Sequence, residues 1–120
     1  MSMNNITHQE LVRRLFKPGG EIYKHLDPHR SELLHAVIGI STEAGELLDC
    51  VKKHVMYNQT LDIANFSEEL GDIEFYLEAA RQVTLVNRET TLNVNILKLI
   101  QRYGDRYSDA AAKERKDKQL

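Results

Sequence analysis

Residues 31–56, SELLHAVIGISTEAGELLDCVKKHVM, decide the fold of this chain. Apolar side chains recur in this stretch at spacings of three and four, as at Leu34, Ile38 and Leu48, which is the period of an amphipathic helix. The stretch also contains the tetrad Glu43-Ala44-Gly45-Glu46. We therefore predict one long helix over 31–56 that places two carboxylates on one face, because residues three apart are neighbours on a helix.

The next helical stretch repeats this pattern. Residues 63–86 again place apolar side chains at spacings of three and four, and they contain the tetrad Glu69-Leu70-Gly71-Asp72. A glycine inside a helix costs about 1 kcal/mol relative to alanine. We therefore predict that Gly45 and Gly71 let the two helix backbones approach each other closely.

The rest of the chain is predicted to form shorter helices. A helix over 8–17 ends at Pro18-Gly19-Gly20, a partly helical linker covers 21–30, and helices over 90–103 and 109–115 precede a frayed tail at 116–120. Thr7 and Glu10 form a capping-box pattern at the start of the first helix. The predicted N-caps, all polar residues, are Thr7, Ser31, Asp62, Asn87 and Ser108.

These elements predict an all-α fold. No segment alternates apolar and polar residues over a useful length, and short loops favour antiparallel helices, so we expect a four-helix bundle. A chain of 120 residues is expected to form a single domain. Its parts are the N-terminal helix and loop (1–30), the core helices (31–103), and a short helix with the tail (104–120).

Composition excludes several classes of partner. A net charge of −2, from 16 basic and 18 acidic residues, argues against binding to a nucleic acid polymer. No apolar stretch reaches the roughly 20 residues that a membrane span needs, and residues 1–5 show no signal peptide. Cys50 is the one cysteine and is expected to be a buried structural thiol. The chain is therefore expected to be cytoplasmic.

The two tetrads together favour a metal site. Two unit charges about 4 Å apart repel by roughly 4 kcal/mol at an effective dielectric constant near 20, so carboxylates that converge in a groove need a counter-charge. Mg²⁺ and Mn²⁺ prefer oxygen ligands. The predicted ligands are Glu43, Glu46, Glu69 and Asp72. The alternative is a solvated acidic face, which one tetrad alone would favour and two matching tetrads among apolar residues do not.

Several segments resemble the MazG-like family of all-α nucleoside triphosphate pyrophosphohydrolases, whose signature is EExxE, a spacer and ExxD. The resemblance covers roughly residues 31–115 and is carried by 33–36, 43–49, 51–54 and 68–72, with 22 residues between Glu46 and Glu69. Thr42 stands where the family has its first acid. The stretch from Asn95 to Ser108 is similar to the family's ending, N-x-x-K-L-x-x-R-Y.

The resemblance implies hydrolysis of a (deoxy)nucleoside triphosphate to the monophosphate and pyrophosphate, for control of nucleotide pools. By position, Glu43, Glu46, Glu69 and Asp72 would hold two or more Mg²⁺ ions, with Mn²⁺ as an alternative. Glu43 or Glu46 would act as the catalytic base. The missing acid at Thr42 leaves the choice of base and the number of metal ions open.

Further residues are predicted to bind the substrate. Lys53 follows Glu46 by seven residues, on nearly the same helix face, and Tyr76 follows Asp72 by four. For each residue the alternative is a solvated charge, a surface residue or a core residue. The predicted substrate-binding residues are His35, Lys53, His54, Tyr76, Asn95, Lys98, Arg102 and Tyr103.

The resemblance also implies a homodimer or homotetramer with the nucleotide near subunit contacts. A compact chain of this kind suits a bacterium, or a bacteriophage acting in the host cytoplasm. Within the superfamily, a dUTPase-like or dCTPase-like enzyme and a phosphoribosyl-ATP pyrophosphohydrolase remain alternatives, and outside enzymes, a non-catalytic helical interaction protein. A di-iron bundle is disfavoured, because Glu32-Leu33-Leu34-His35 is the one ExxH unit in the chain.

Overall fold

A computed structural model describes residues 5–115 and 118. These residues form six helices and no strand: α1 (His8–Leu15), α2 (Gly19–Tyr23), α3 (Pro28–Met56), α4 (Ile63–Thr84), α5 (Arg88–Tyr103) and α6 (Asp109–Glu114). The all-α prediction is confirmed. The expected frayed tail at 116–120 falls largely outside the described residues.

Polar side chains cap the helices as predicted, with one exception. The side chains of Thr7, Asp62, Asn87 and Ser108 each accept a backbone N–H from the first turn of their helix. The exception is α3, for which the predicted cap at Ser31 is wrong. Asp27 caps this helix by accepting the N–H of Arg30 at 2.8 Å, and Pro28 occupies the first turn. Proline suits that position because its missing N–H has no partner there anyway.

Other predicted boundaries differ by one to three residues. The first helix ends at Leu15 rather than at 17. The helical part of the linker lies at Gly19–Tyr23, so it begins two residues before the linker predicted over 21–30. The end of α4 comes two residues early because Leu85 adopts a left-handed conformation with a φ of 60°, whereas α5 begins two residues early. Gly104, with a φ of 69°, ends α5 as expected.

The two long helices α3 and α4 form an antiparallel hairpin. At one end, the His29 side chain donates from Nε2 to the carbonyl oxygen of Val83 at 2.9 Å. At the other end, the buried thiol of Cys50 lies 3.9 Å from the carbonyl oxygen of Asp62. The line of α3 that meets α4 is made of small residues, because its buried members are Ala36, Gly39 and Cys50. The prediction of a buried thiol is confirmed.

The fourth main helix, α5, packs against α6 rather than extensively against this hairpin. The radius of gyration is 20.6 Å, whereas a compact chain of this length has about 14 Å. Ala36 and Cys50 are the buried apolar side chains among the described residues. Of the four helices expected in the bundle, α3 and α4 are therefore the two that pack extensively against each other within the described part of one chain. No helix among the described residues is both long and apolar enough to span a bilayer.

Candidate metal centre and neighbouring groove

Three of the predicted metal ligands converge in the seam between α3 and α4. Glu43 on α3 and Glu69 and Asp72 on α4 each place one carboxylate oxygen so that the three oxygens lie within 4.8 Å of one another. All three side chains are half-buried. Among residues 5–115 and 118, no other group of three or more acidic, histidine or cysteine side chains lies close enough together to share one cation.

Glu69 is the least satisfied member of the group. Its Oε2 atom is buried and has no hydrogen-bond partner among the described residues. Burial raises the pKa of Glu69 above its ordinary value, and the carboxyl of Glu43 and the charge of Asp72 raise this pKa further. A buried oxygen that lacks a partner costs free energy. A divalent cation between the three carboxylates would offset their mutual repulsion and would give the buried Oε2 atom a partner.

Glu46, the fourth predicted ligand, stands at the margin of this group. Its carboxylate is close enough to contribute to the raised pKa of Glu69, as the smallest of the causes, but it is not among the three converging oxygens. Thr42, at the position of the missing acid, uses its hydroxyl within α3 by donating to the carbonyl oxygen of Gly39 at 3.1 Å. The hydroxyl proton of Thr42 is thus engaged in the helix.

The close approach of α3 and α4 depends on a glycine that the tetrads do not contain. A side chain at Gly39 would overlap the ring of Tyr76. At Gly45 and Gly71, in contrast, nothing lies within 4 Å of the place a side-chain carbon would occupy. The prediction that these two glycines bring the helices together is therefore wrong for the single chain. Gly39 does this, because its missing side chain leaves room for the ring of Tyr76, which lies one turn after Asp72 on α4.

A groove of about 350 Å³ lies next to the acidic group along the same hairpin. His35 and Tyr76 face each other in it with ring centroids 6.0 Å apart, and Phe75 stands edge-on to Tyr76 at 5.0 Å. Glu32 and Gln82 add further polar atoms to the lining, which Ala36, Ala79 and Val83 complete with apolar side chains. The structure thus brings together two of the predicted substrate-binding residues, His35 and Tyr76. Phe75 and Gln82 also line the groove and were not predicted from the sequence, because neither belongs to a motif that carries chemistry.

The two basic residues predicted on α3 take part in local contacts. Lys53 pairs with Asp49 one turn earlier, with 3.0 Å between Nζ and Oδ2. This hydrogen bond and the charge of Asp49 raise the pKa of Lys53. His54 donates from Nδ1 to the carbonyl oxygen of Gln59 at 2.7 Å, which closes the turn after α3. Both side chains lie toward the end of α3, beyond the acidic group.

The four predicted substrate-binding residues on α5 lie in a region separate from the acidic group. The Arg102 guanidinium lies 5.8 Å from the ring centre of Tyr103, and Tyr103 lies 5.4 Å from the ring of Tyr107. Asn95 and Lys98 occupy the preceding turns of the same helix. Because α5 packs against α6 and not extensively against the hairpin, a single chain does not add these side chains to the acidic group.

The arrangement offers a set of carboxylate oxygens for a divalent cation and, beside it, a groove with aromatic walls. Three carboxylate oxygens form a hard ligand set that suits Mg²⁺ or Mn²⁺. The groove beside them offers aromatic faces for stacking and an amide and a carboxylate for hydrogen bonds. Comparison of the chain with protein-family models, with curated proteins and with solved structures finds no match.

Proposed function

We propose that this protein is a Mg²⁺-dependent nucleoside triphosphate pyrophosphohydrolase, which releases pyrophosphate and a nucleoside monophosphate. The observation that carries the proposal is the convergence of Glu43, Glu69 and Asp72 with an unpartnered buried oxygen on Glu69. Isolated surface acids would turn toward water instead. The motifs that resemble MazG-like enzymes include these three acids, which favours a nucleotide over other anions.

The proposed roles follow from position. Glu43, Glu69 and Asp72 hold Mg²⁺, which neutralises the phosphate oxygens and activates water when bound. Glu46 lies beside the group without joining it, so it can accept the proton of the attacking water. Hydrolysis of this kind depends on positioning and charge neutralisation rather than on a covalent intermediate. Thr42 contributes no carboxylate, so we propose that Glu46 and not residue 42 is the base.

We propose that the groove next to the acids receives the nucleoside part. Tyr76 lies one helical turn from Asp72, so a nucleotide with its phosphates at the cation reaches the rings of Tyr76 and His35. Aromatic faces stack on a base without selecting its identity. Gln82 and Glu32 are the polar side chains of the lining that can read its edge.

We further propose that assembly completes the site. Lys98 and Arg102 are the cations expected to meet the triphosphate, yet α5 does not pack extensively on the hairpin within one chain. A homodimer or homotetramer can place α5 of one copy beside the acids of another. Mixing an inactive Asp72→Asn variant with an inactive Lys98→Ala variant should then restore activity. No recovery after subunit exchange would contradict this arrangement.

The direct test of the proposed reaction is product analysis. The purified chain is incubated with a panel of ribo- and deoxyribonucleoside triphosphates, with Mg²⁺ or with EDTA, and the products are separated by anion exchange. We expect monophosphate and pyrophosphate in equal amounts with Mg²⁺ alone. The panel should include dUTP, dCTP and phosphoribosyl-ATP, which represent the related specificities. Diphosphate with inorganic phosphate, or no product from any nucleotide, would refute the proposal.

A non-catalytic helical interaction protein is the second candidate. Its support is the amount of exposed apolar side chain, such as Leu34, Leu48 and Val55 on α3, each more than half exposed. Such a protein has no need to keep three acids together in a helix seam. The two candidates separate in the same assay, because only the enzyme releases pyrophosphate with Mg²⁺.

A further inference from the structure

Two polar side chains stand at the end of the groove that is farthest from the acidic group. Glu32 lies on α3, eleven residues before Glu43. Gln82 lies on α4, ten residues after Asp72. Because the two helices are antiparallel, these separations of about 17 Å and about 15 Å along the helix axes lead to the same end of the hairpin, and both side chains line the groove. A nucleotide with its phosphates at the acidic group and its base in the groove therefore points the far edge of the base toward Glu32 and Gln82.

Neither of these side chains is engaged by the protein itself. Among the described residues, Glu32 and Gln82 form no hydrogen bond and no ion pair, and both are exposed. His29, one turn before Glu32, is instead fixed by its hydrogen bond to the carbonyl oxygen of Val83 at 2.9 Å. Other groups thus hold this end of the hairpin together, and Glu32 and Gln82 remain available to a ligand.

The polar atoms at this end favour ligand groups that donate hydrogen bonds. An ionised carboxylate only accepts, so Glu32 offers acceptors alone, whereas the Gln82 amide both donates and accepts. The described lining contains no lysine or arginine, so no cation in it offsets the charge of Glu32. A carbonyl oxygen of a ligand would face the carboxylate without a donor between them, whereas an amino group would find an acceptor. The amide N–H of Gln82 can then donate to a ring nitrogen beside that amino group.

We propose that Glu32 makes this protein selective for nucleotides whose base carries an exocyclic amino group, as adenine, cytosine and guanine do and uracil and thymine do not. Glu32 accepts the amino N–H, Gln82 donates to the neighbouring ring nitrogen, and the base stacks on the ring of Tyr76. A carboxylate that accepts from a base amino group discriminates by about tenfold or more in affinity. This inference rests on the proposed function, because it takes the phosphates of the nucleotide to lie at the acidic group.

Binding of nucleoside monophosphates tests this selectivity without any hydrolysis. The probes are two matched pairs, AMP with purine riboside monophosphate and CMP with zebularine monophosphate, and the second member of each pair lacks only the amino group. Calorimetric titration in the presence of Mg²⁺ gives Kd for each probe. We expect the wild-type protein to bind AMP and CMP about tenfold more tightly than their partners. Glu32→Ala should bring both ratios close to one.

The control variant is Glu74→Ala, which removes an exposed acid of α4 that does not line the groove and should keep both ratios. Circular dichroism checks that each variant retains its helices. Equal Kd values within the pairs for the wild type, an unchanged ratio in Glu32→Ala, or no binding of any probe would overturn the proposal. Each of these results is compatible with pyrophosphate release from triphosphates. Conversely, a selective groove without pyrophosphate release would refute the hydrolase and retain the role of Glu32.

Discussion

The two faces of α3 differ in what they carry. The face toward α4 has small residues at Ala36 and Gly39, and then the carboxylate of Glu43, so that the seam is narrow and holds charge. The opposite face has large apolar side chains, such as Leu48 at 68% exposure, and no partner among the described residues. A helix face that carries several large apolar side chains is normally covered by another surface. The difference fits the proposed function, in which the face toward α4 would bind a cation and the opposite face would be covered by assembly.

The largest effect should come from removing a carboxylate of the seam. We expect Asp72→Asn to lower kcat at least about a hundredfold, because the loss of a cation ligand is at least as costly as the loss of its supporting contacts. The same change should raise the thermal stability of the metal-free protein by relieving repulsion. Glu68→Gln is the control, since Glu68 is an exposed acid on the same helix. Equal rates for both variants would remove Asp72 from the site.

Packing at the seam predicts the next largest effect. Gly39→Ala forces a methyl group into the ring of Tyr76 and should destabilise the protein by about 1–3 kcal/mol. Gly71→Ala faces open space and should stabilise it by up to about 1 kcal/mol through helix propensity. Urea denaturation measures both. A stabilising Gly39→Ala would show that the seam is wider than described.

The raised pKa of Glu69 predicts that the stability of the metal-free protein falls as pH rises. A carboxyl whose pKa is higher in the folded than in the unfolded state contributes stability that is complete below the unfolded value, near 4.5, and is lost as pH rises through the folded pKa. The Glu69 contribution should therefore give the metal-free protein a higher Tm at about pH 4.5 than at pH 7. Glu69→Gln should flatten this slope, and excess Mg²⁺ should reverse it. A slope that persists in Glu69→Gln would assign it to another group.

The smallest effect concerns the exposed cation on α3. Removing the Lys53–Asp49 pair should change stability by no more than about 0.5 kcal/mol, because exposed pairs one turn apart contribute little. If Lys53 leaves Asp49 for the triphosphate, Lys53→Met should raise KM several-fold and leave kcat nearly unchanged. Lys24→Met, which breaks a similar exposed pair with Glu21, is the control for both measurements. An unchanged KM would remove Lys53 from the substrate site.

Sequence reasoning predicts the long helices well and the packing less well. Periodicity and capping residues locate α3 and α4 because both elements are long and strongly patterned. The start of α3 is misplaced by one turn because Asp27 and Ser31 are both good caps, and Pro28 favours the earlier one. The position of α5 does not follow from its short loop, since most of its large apolar side chains stay exposed among the described residues, as Leu97 does at 68%.

The sequence also predicts only part of the candidate site, because local patterns do not determine how two helices pack against each other. The i, i+3 spacing of the second tetrad places Glu69 and Asp72 on one face of α4, and the packing of α3 brings Glu43 to them. It does not separate Glu43 from Glu46, because which of two neighbouring carboxylates enters a seam depends on helix rotation. Gly39 was missed because α3 is apolar on both faces, so periodicity alone does not show which glycine meets α4.

Cation binding by Glu43, Glu69 and Asp72 is tested most directly by Mn²⁺ titration followed by electron paramagnetic resonance, which counts free Mn²⁺. The wild-type protein should bind at least one Mn²⁺ per chain in the absence of nucleotide, and added Mg²⁺ should displace it. Glu69→Gln should lose this binding, whereas Glu68→Gln should retain it. Equal Mn²⁺ binding by the wild-type and Glu69→Gln proteins, or none by the wild type, would contradict the assignment of these three carboxylates as a metal centre.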